Sequence, residues 1–224
     1  MKKKSAKMNL AKIVKLSMLL IGLVCISAIG HRTKTVLIIG DSISIGYTPF
    51  IEKALGTGVT VTHNPGNGGS TLRGVQQLEK WLDHKEWDVI VFNFGLHDMA
   101  YKDSLNKYDV TNGKIAVPLS DYQKNLETIV AKLKETTSTL LFVTTTVVPE
   151  NSPGRKVESP AAYNQVALAV MKKNGIEVID LYQTSLSVHP QNSKPGNVHY
   201  TAKGYELLAE PIVNKVKSIL QKDK

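Results

Sequence analysis

Four apolar residues in a row, Val36-Leu-Ile-Ile39, constrain this chain more than any other feature. Three of them are β-branched, and none is polar. A strand with water on one face alternates; a strand without alternation is covered on both faces, which is the condition of a parallel sheet between helical layers. The run stops at Gly40-Asp41-Ser42, and the residues from Ile43 to Leu55 suit a helix that Gly56 ends. Such a turn presents its residues at the carboxyl edge of the sheet, where open α/β proteins place ligands. Ser42 has two readings there. It is a helix N-cap, a common role for serine, or an exposed nucleophile beside free helix N–H groups.

The pattern repeats along the chain. Gly58 to Thr62 alternates as a second strand, followed by the loop His63-Asn-Pro-Gly-Asn-Gly-Gly-Ser70. Ser70 or Thr71 can cap a helix with apolar positions Leu72, Val75, Leu78 and Leu82. Trp87 to Phe94 is a third strand, apolar enough for a sheet centre, and ends in Gly95-Leu-His-Asp98. Residues 99–118 form a long polar connection with Tyr101, Tyr108 and a turn at Asn112-Gly113; a connection of this length is functional or mobile. Ser120 and Gln123 suggest a capping box for a helix with Tyr122, Leu126, Ile129, Val130 and Leu133 on one face. Leu140 to Thr146 is a fourth strand, Val147 to Glu158 a Pro/Gly-rich loop, and Ser159-Pro160 an N-cap and N1 pair. That helix uses Tyr163, Val166 and Val170 and closes at Gly175. Ile176 to Ile179 is a fifth strand, Leu181 to Val198 reads mostly as loop, and Thr201 caps a last helix with Tyr205, Leu208, Ile212, Val216 and Ile219 inward. Five strands separated by helices give an α/β fold: three layers, with a flavodoxin-like five-stranded parallel sheet and helices on both faces.

Charge and targeting set the context. The net charge of +9 suggests nucleic acid until its location is read. Residues 1–30 hold six lysines and no acid. Remove six from 28 and 22 bases remain against 19 acids, a net of +3. The basic signal belongs to a leader, and no nucleic-acid partner is expected. That leader has a basic start, an apolar run from Leu16 to about Ile29, and Ala28-Ile-Gly30, the layout of a secretory signal peptide. The run is short for a membrane span, which needs about 20 residues. Residues 1–30 therefore read as a signal peptide and 31–224 as one domain, secreted or periplasmic, with no stable membrane insertion once the leader is cleaved. An uncleaved anchor is the weaker alternative. Val24 before Cys25, the sole cysteine, argues against lipidation.

Four features share one structural place on the carboxyl rim: Gly40-Asp-Ser42, the loop 64–70, Gly95-Leu-His-Asp98, and Asn197-Val-His199. They supply a nucleophile, backbone donors, a polar side chain and an imidazole, the groups that acyl transfer needs. In these blocks the chain resembles the SGNH hydrolases, or GDSL esterases, over residues 35 to 220. The resemblance implies Ser42 as nucleophile, Gly69 as an oxyanion-hole glycine and His199 as base. His97 stands where the family usually has an oxyanion asparagine, as in a subgroup with Gly-Leu-His-Asp; a neutral imidazole can donate one hydrogen bond there. The acid that usually precedes the histidine by two or three residues is replaced by Asn197 and Gly196. A Ser42–His199 dyad is expected, with Asn197 or a backbone carbonyl orienting the imidazole. Asp98 reads as a supporting residue, and Asp180, Asn93, Trp81 and Trp87 as structural. His63, His84 and His189 lack the paired spacing of a metal site, so neither metal nor cofactor is expected.

The partner implied is a small-molecule or glycan ester. The leading expectation is a secreted hydrolase removing acetyl or other short acyl groups from a carbohydrate. The alternatives are a lipid acyl esterase, a degenerate member that binds a glycan without turning it over, and an α/β protein binding a phosphorylated ligand at its first strand–helix turn. The last lacks a glycine-rich phosphate cradle.

Overall fold

The computed structural model describes residues 32–222. The signal-peptide reading of residues 1–30 therefore falls outside the described residues. Among those described, no helix is long and apolar enough to cross a membrane.

The strands of the main sheet are β1 (Lys34–Ile39), β2 (Val59–His63), β3 (Val89–Phe92), β6 (Thr139–Val143) and β7 (Glu177–Ile179). They lie in the order β2-β1-β3-β6-β7, and every pairing is parallel. The core runs of β1 and β3 are wholly buried, Val36 to Ile39 and Val89 to Phe92, as their lack of alternation requires. Among the described residues six helices cover the sheet: α1 (Ser42–Leu55), α2 (Thr71–Leu82), α3 (Leu119–Leu133), α4 (Ser159–Asn174), α5 (Leu181–Asn192) and α6 (Ala202–Lys222). α6 packs against α1 and α5, while α3 packs against α2 and α4, which gives one layer on each face. Chain order reverses between β1 and β3. Their carboxyl ends, paired as Ile39 with Phe92, are the switch point where such sheets form a crevice.

Several sequence readings are corrected. The stretch 181–198 is not mostly loop: α5 occupies its first two thirds. Asp180 caps it by accepting the Gln183 N–H, and Leu181, Ser185, Val188 and His189 are buried. Its buried face is half polar and Pro190 lies in its last turn, so the helical signal was diluted. On α2, Leu72 and Val75 face solvent. The buried stripe runs through Thr71, Gly74, Leu78, Trp81 and Leu82, because Gly74 is where Phe94 and Ile129 pack against the helix. Ser120 and Gln123 form no capping box. The N-cap of α3 is Pro118, two residues earlier than Ser120, and Gln123 bonds Glu127 instead. Ser159 is already helical behind Glu158, although Pro160 does sit in the first turn. The connection 99–118 contains a small antiparallel pair, β4 (Tyr101–Lys102) and β5 (Lys114–Ile115).

Other expectations stand. Trp81 and Trp87 are core residues. Asn93 is buried and donates to the Val143 carbonyl at 2.7 Å, tying the ends of β3 and β6. Thr201 accepts the Gly204 N–H at the start of α6.

A Cβ on Gly74 would lie 2.7 Å from Phe94 Cζ and 2.8 Å from Ile129 Cδ1. Gly74→Ala should therefore destabilise the protein by about 1–3 kcal/mol through overpacking, despite alanine's better helix propensity. Urea unfolding monitored by tryptophan fluorescence checks this; an unchanged or raised midpoint would show that the α2–α3 contact can relax.

Candidate active site

The site begins with the turn after β1. Asp41, not Ser42, is the N-cap of α1: its Oδ1 accepts the Ile43 N–H at 2.9 Å. Capping is thus done by the neighbour, which leaves the Ser42 hydroxyl available for other work. That hydroxyl lies 2.8 Å from His199 Nε2. The other ring nitrogen, His199 Nδ1, is 2.9 Å from Asn197 Oδ1. An amide oxygen only accepts, so Nδ1 carries the proton and donates it. Nε2 is then left bare to accept from Ser42. One neutral tautomer satisfies both contacts. Asn197 Oδ1 also accepts the His199 backbone N–H at 3.0 Å, which closes a tight turn under the imidazole.

A further histidine, passed over in the sequence, holds this turn. His189 is buried at the end of α5, and its Nε2 donates to the Asn197 carbonyl at 2.8 Å. Its ring meets Tyr200 edge-on, with centroids 5.3 Å apart. Only the hidden helix α5 could have revealed that role.

The second wall is the loop after β2. Asn64 is buried, and its Oδ1 accepts the Gly40 N–H at 2.8 Å while its Nδ2 donates to Gly66 O. Gly68 N–H donates to Gly40 O at 2.8 Å. The approach is close enough that a Cβ on Gly68 would lie 2.5 Å from that oxygen. Gly69 follows in the left-handed region, φ 66°. Its N–H donates to Asn67 Oδ1 at 2.9 Å, so the expected oxyanion donor is occupied by its own loop. The Ser42 N–H, at the first turn of α1, has no partner among the described residues.

His97 lies after β3 and makes no hydrogen bond within the described residues. Burial is the main cause that lowers its pKa; the charges of Arg155, Lys102 and His199 push the same way, and Asp41 opposes them. His97 is therefore neutral near pH 7, with one ring N–H to offer, and lies within electrostatic reach of His199.

Asp98 does not cap its own segment. Its Oδ1 accepts both the Thr71 N–H at 2.9 Å and the Thr71 hydroxyl at 2.5 Å. Ser70, the residue at the N-cap position of α2, makes no side-chain cap bond, so Asp98 replaces it from across the sheet edge. The contact locks the His97 segment to the Gly69 loop. Asp180, which accepts the Thr144 hydroxyl and caps α5, serves structure. Among the described residues no group of three or more His, Cys, Asp or Glu side chains is arranged to hold a metal.

The site thus gathers a serine, two imidazoles and a glycine-rich loop from four separate chain segments at the switch point, which is where sequence relatives can be compared. The profile of the GDSL-like lipase/acylhydrolase family matches residues 38–207, spanning all four. The chain belongs to that family, a family of ester hydrolases. Its fold is similar to a lipase/acylhydrolase from Enterococcus faecalis, with a TM-score of 0.67 and 23% identity over 83% of this chain and 96% of that one. It is also similar to an acetylxylan esterase from Geobacillus stearothermophilus, with a TM-score of 0.67 and 16% identity over 82% and 94%. An arylesterase from Vibrio mimicus is 31% identical over 85 residues, which are 33% of this chain and 42% of that protein. The match spans less than half of that relative's length.

Burial pushes the Asp98 carboxyl up from 3.8 to about 7, and the two bonds from Thr71 offset only part of the shift. Between those values the folded chain holds a proton that the unfolded chain has released. Stability should therefore fall as pH rises from about 4 to about 7 and level off above. Asp98→Asn keeps an acceptor for Thr71 without the titration. Its urea midpoint should stay flat across that window where the parent's declines; parallel profiles would assign the decline elsewhere.

Proposed function

We propose that this protein is a serine ester hydrolase that removes acetyl or other short acyl groups from a carbohydrate. The observation that carries it is the single neutral tautomer of His199 that meets Ser42 on one side and Asn197 on the other. Acetyl specificity draws support from the likeness in fold to acetylxylan esterases. Export belongs to the same proposal and rests on the basic-then-apolar layout of residues 1–30.

The chemistry follows from the placement. His199 Nε2 takes the Ser42 proton as Oγ attacks the ester carbonyl. The tetrahedral oxyanion is met by the N–H groups of Ser42 and Gly69 and by the ring N–H of His97, Asn67 releasing Gly69 as the substrate oxygen arrives. The alcohol leaves with the proton from His199. Water then attacks the acyl-enzyme, giving its proton to His199, and the carboxylic acid departs as Ser42 is restored. Asn197 holds the imidazole in the right tautomer but brings no negative charge to the imidazolium formed in each step.

That neutral partner, together with the engaged Gly69 N–H, favours one second reading: a member that binds an acylated glycan without turnover. A fluorophosphonate probe separates the two, because only an activated serine reacts quickly. Hydrolysis of p-nitrophenyl acetate by residues 31–224 tests the first reading directly. Ser42→Ala and His199→Ala should each fall to near background, and His97→Ala should lose about 10²–10³ in kcat as one oxyanion donor goes. Faster hydrolysis of the octanoate ester would move the substrate to lipids. Full activity in Ser42→Ala would remove the mechanism.

A further inference from the structure

Arg155 presents a charge that nothing in the described residues neutralises. It is 8% exposed. Its Nε donates to the Leu96 carbonyl at 2.7 Å, and its terminal nitrogens reach the Pro153 carbonyl and the Tyr108 hydroxyl, both at 3.4 Å. All three acceptors are neutral, and a guanidinium has five N–H donors. Burying a cation without a counter-charge is costly. The expense is tolerated where a ligand supplies the missing charge.

Two lysines stand with it. Arg155 Cζ lies 4.9 Å from the centroid of the Tyr108 ring, and Lys102 Nζ is 5.6 Å from the same centroid. Lys156 Nζ is 5.1 Å from the ring of Tyr101. None of the three cations forms an ion pair among the described residues. The nearby acids of the same loop are engaged by its own backbone: Asp103 accepts the N–H groups of Leu105 and Lys107, and Asp109 those of Thr111 and Asn112. Tyr101 is partly buried and Tyr108 is exposed, so both rings retain surface for a ligand.

The cluster adjoins the candidate active site. Arg155 holds the carbonyl of the residue before His97, and the charges of Arg155 and Lys102 are both felt at the His97 ring. The Tyr101 N–H donates to Gly154 O at 2.7 Å, stitching the two loops together.

From this we infer that the pocket takes an ester whose alcohol half is anionic, a carboxylate-bearing sugar, with the carboxylate received by Arg155 and Lys102 and the ring by Tyr101 and Tyr108. The inference rests on the proposed hydrolase reading in one respect: an acetyl group carries no charge, so the anion belongs to the alcohol. Lys156 strengthens the field at the rim.

The test compares two acetyl esters that differ only in charge, 4-acetoxybenzoate and its methyl ester, each rate divided by that of spontaneous hydroxide hydrolysis. The parent should favour the anion in kcat/KM, and the preference should shrink with added NaCl, which screens exposed charges. In Lys102→Gln/Lys156→Gln the anion-to-neutral ratio should fall roughly three- to tenfold, the range for two partly exposed charge contacts. Lys80→Gln, on the outer face of α2, is the control and should keep the parent ratio. A parent with no preference for the anion, or a ratio that the double substitution leaves untouched, overturns the inference. If neither ester shows Ser42-dependent hydrolysis, the hydrolase reading fails and binding decides the rest. Ligand-observed NMR titration of Ser42→Ala should then show tighter binding of 4-acetoxybenzoate than of its methyl ester, with the difference lost in the double lysine variant. Equal binding of the two overturns the anionic subsite by itself.

Discussion

The site depends on the peptide groups of Gly40. Its N–H is held by the Asn64 side chain and its carbonyl by the Gly68 N–H. A strand that ends a parallel sheet leaves its last backbone groups without neighbours on one side, and buried groups of that kind must be paired. Here the pairing also shapes the candidate site. The two bonds clamp the loop after β2 to the turn after β1, so the candidate nucleophile and the loop bearing Gly69 move as one piece. Asp98 extends the clamp to a third segment through Thr71. Three strand ends are thereby joined by hydrogen bonds.

Much of this was legible in the chain. The apolar runs at Val36 and Val89 lack alternation, and that is the direct signature of burial on both faces. Small and polar residues after each strand located the rim. What escaped the sequence was governed by tertiary contact. α5 buries serine and histidine beside leucine, so no apolar stripe announced it. Leu72 and Val75 look like core and are not, because Gly74 draws Phe94 and Ile129 to a neighbouring stripe. The start of α2 is capped from a distant segment, an arrangement that local capping patterns cannot contain. In the candidate site, residue types were readable while states were not. Gly69 was picked out by its position, but that its N–H is taken by Asn67 is a matter of loop geometry.

The imidazole chemistry is arranged unusually for an acyl-transfer site. A carboxylate behind a histidine both orients it and balances the charge it gains. Asn197 does the first and not the second. Its own backbone carbonyl is in turn anchored by His189, so orientation is secured over two successive contacts. His97 adds a second imidazole nearby, kept neutral mainly by burial. A charge on His199 pushes the His97 pKa down further.

The segment from Val147 to Glu158 touches two segments of the candidate site. At one end the Asn151 carbonyl lies only 3.0 Å from where a Cβ on Gly196 would stand, beside the turn that bears Asn197 and His199. At the other, Gly154 and Arg155 bond Tyr101 and Leu96 on the side of His97. A single stretch of twelve residues therefore meets the His97 segment and the turn that bears His199. Residues that share a backbone in this way do not vary independently. A lineage that altered this wall to accept a new alcohol would shift its histidine at the same stroke. Diversification of substrate range in such a chain is expected to run through the freer loop at 103–113, whose turns are closed by its own aspartates.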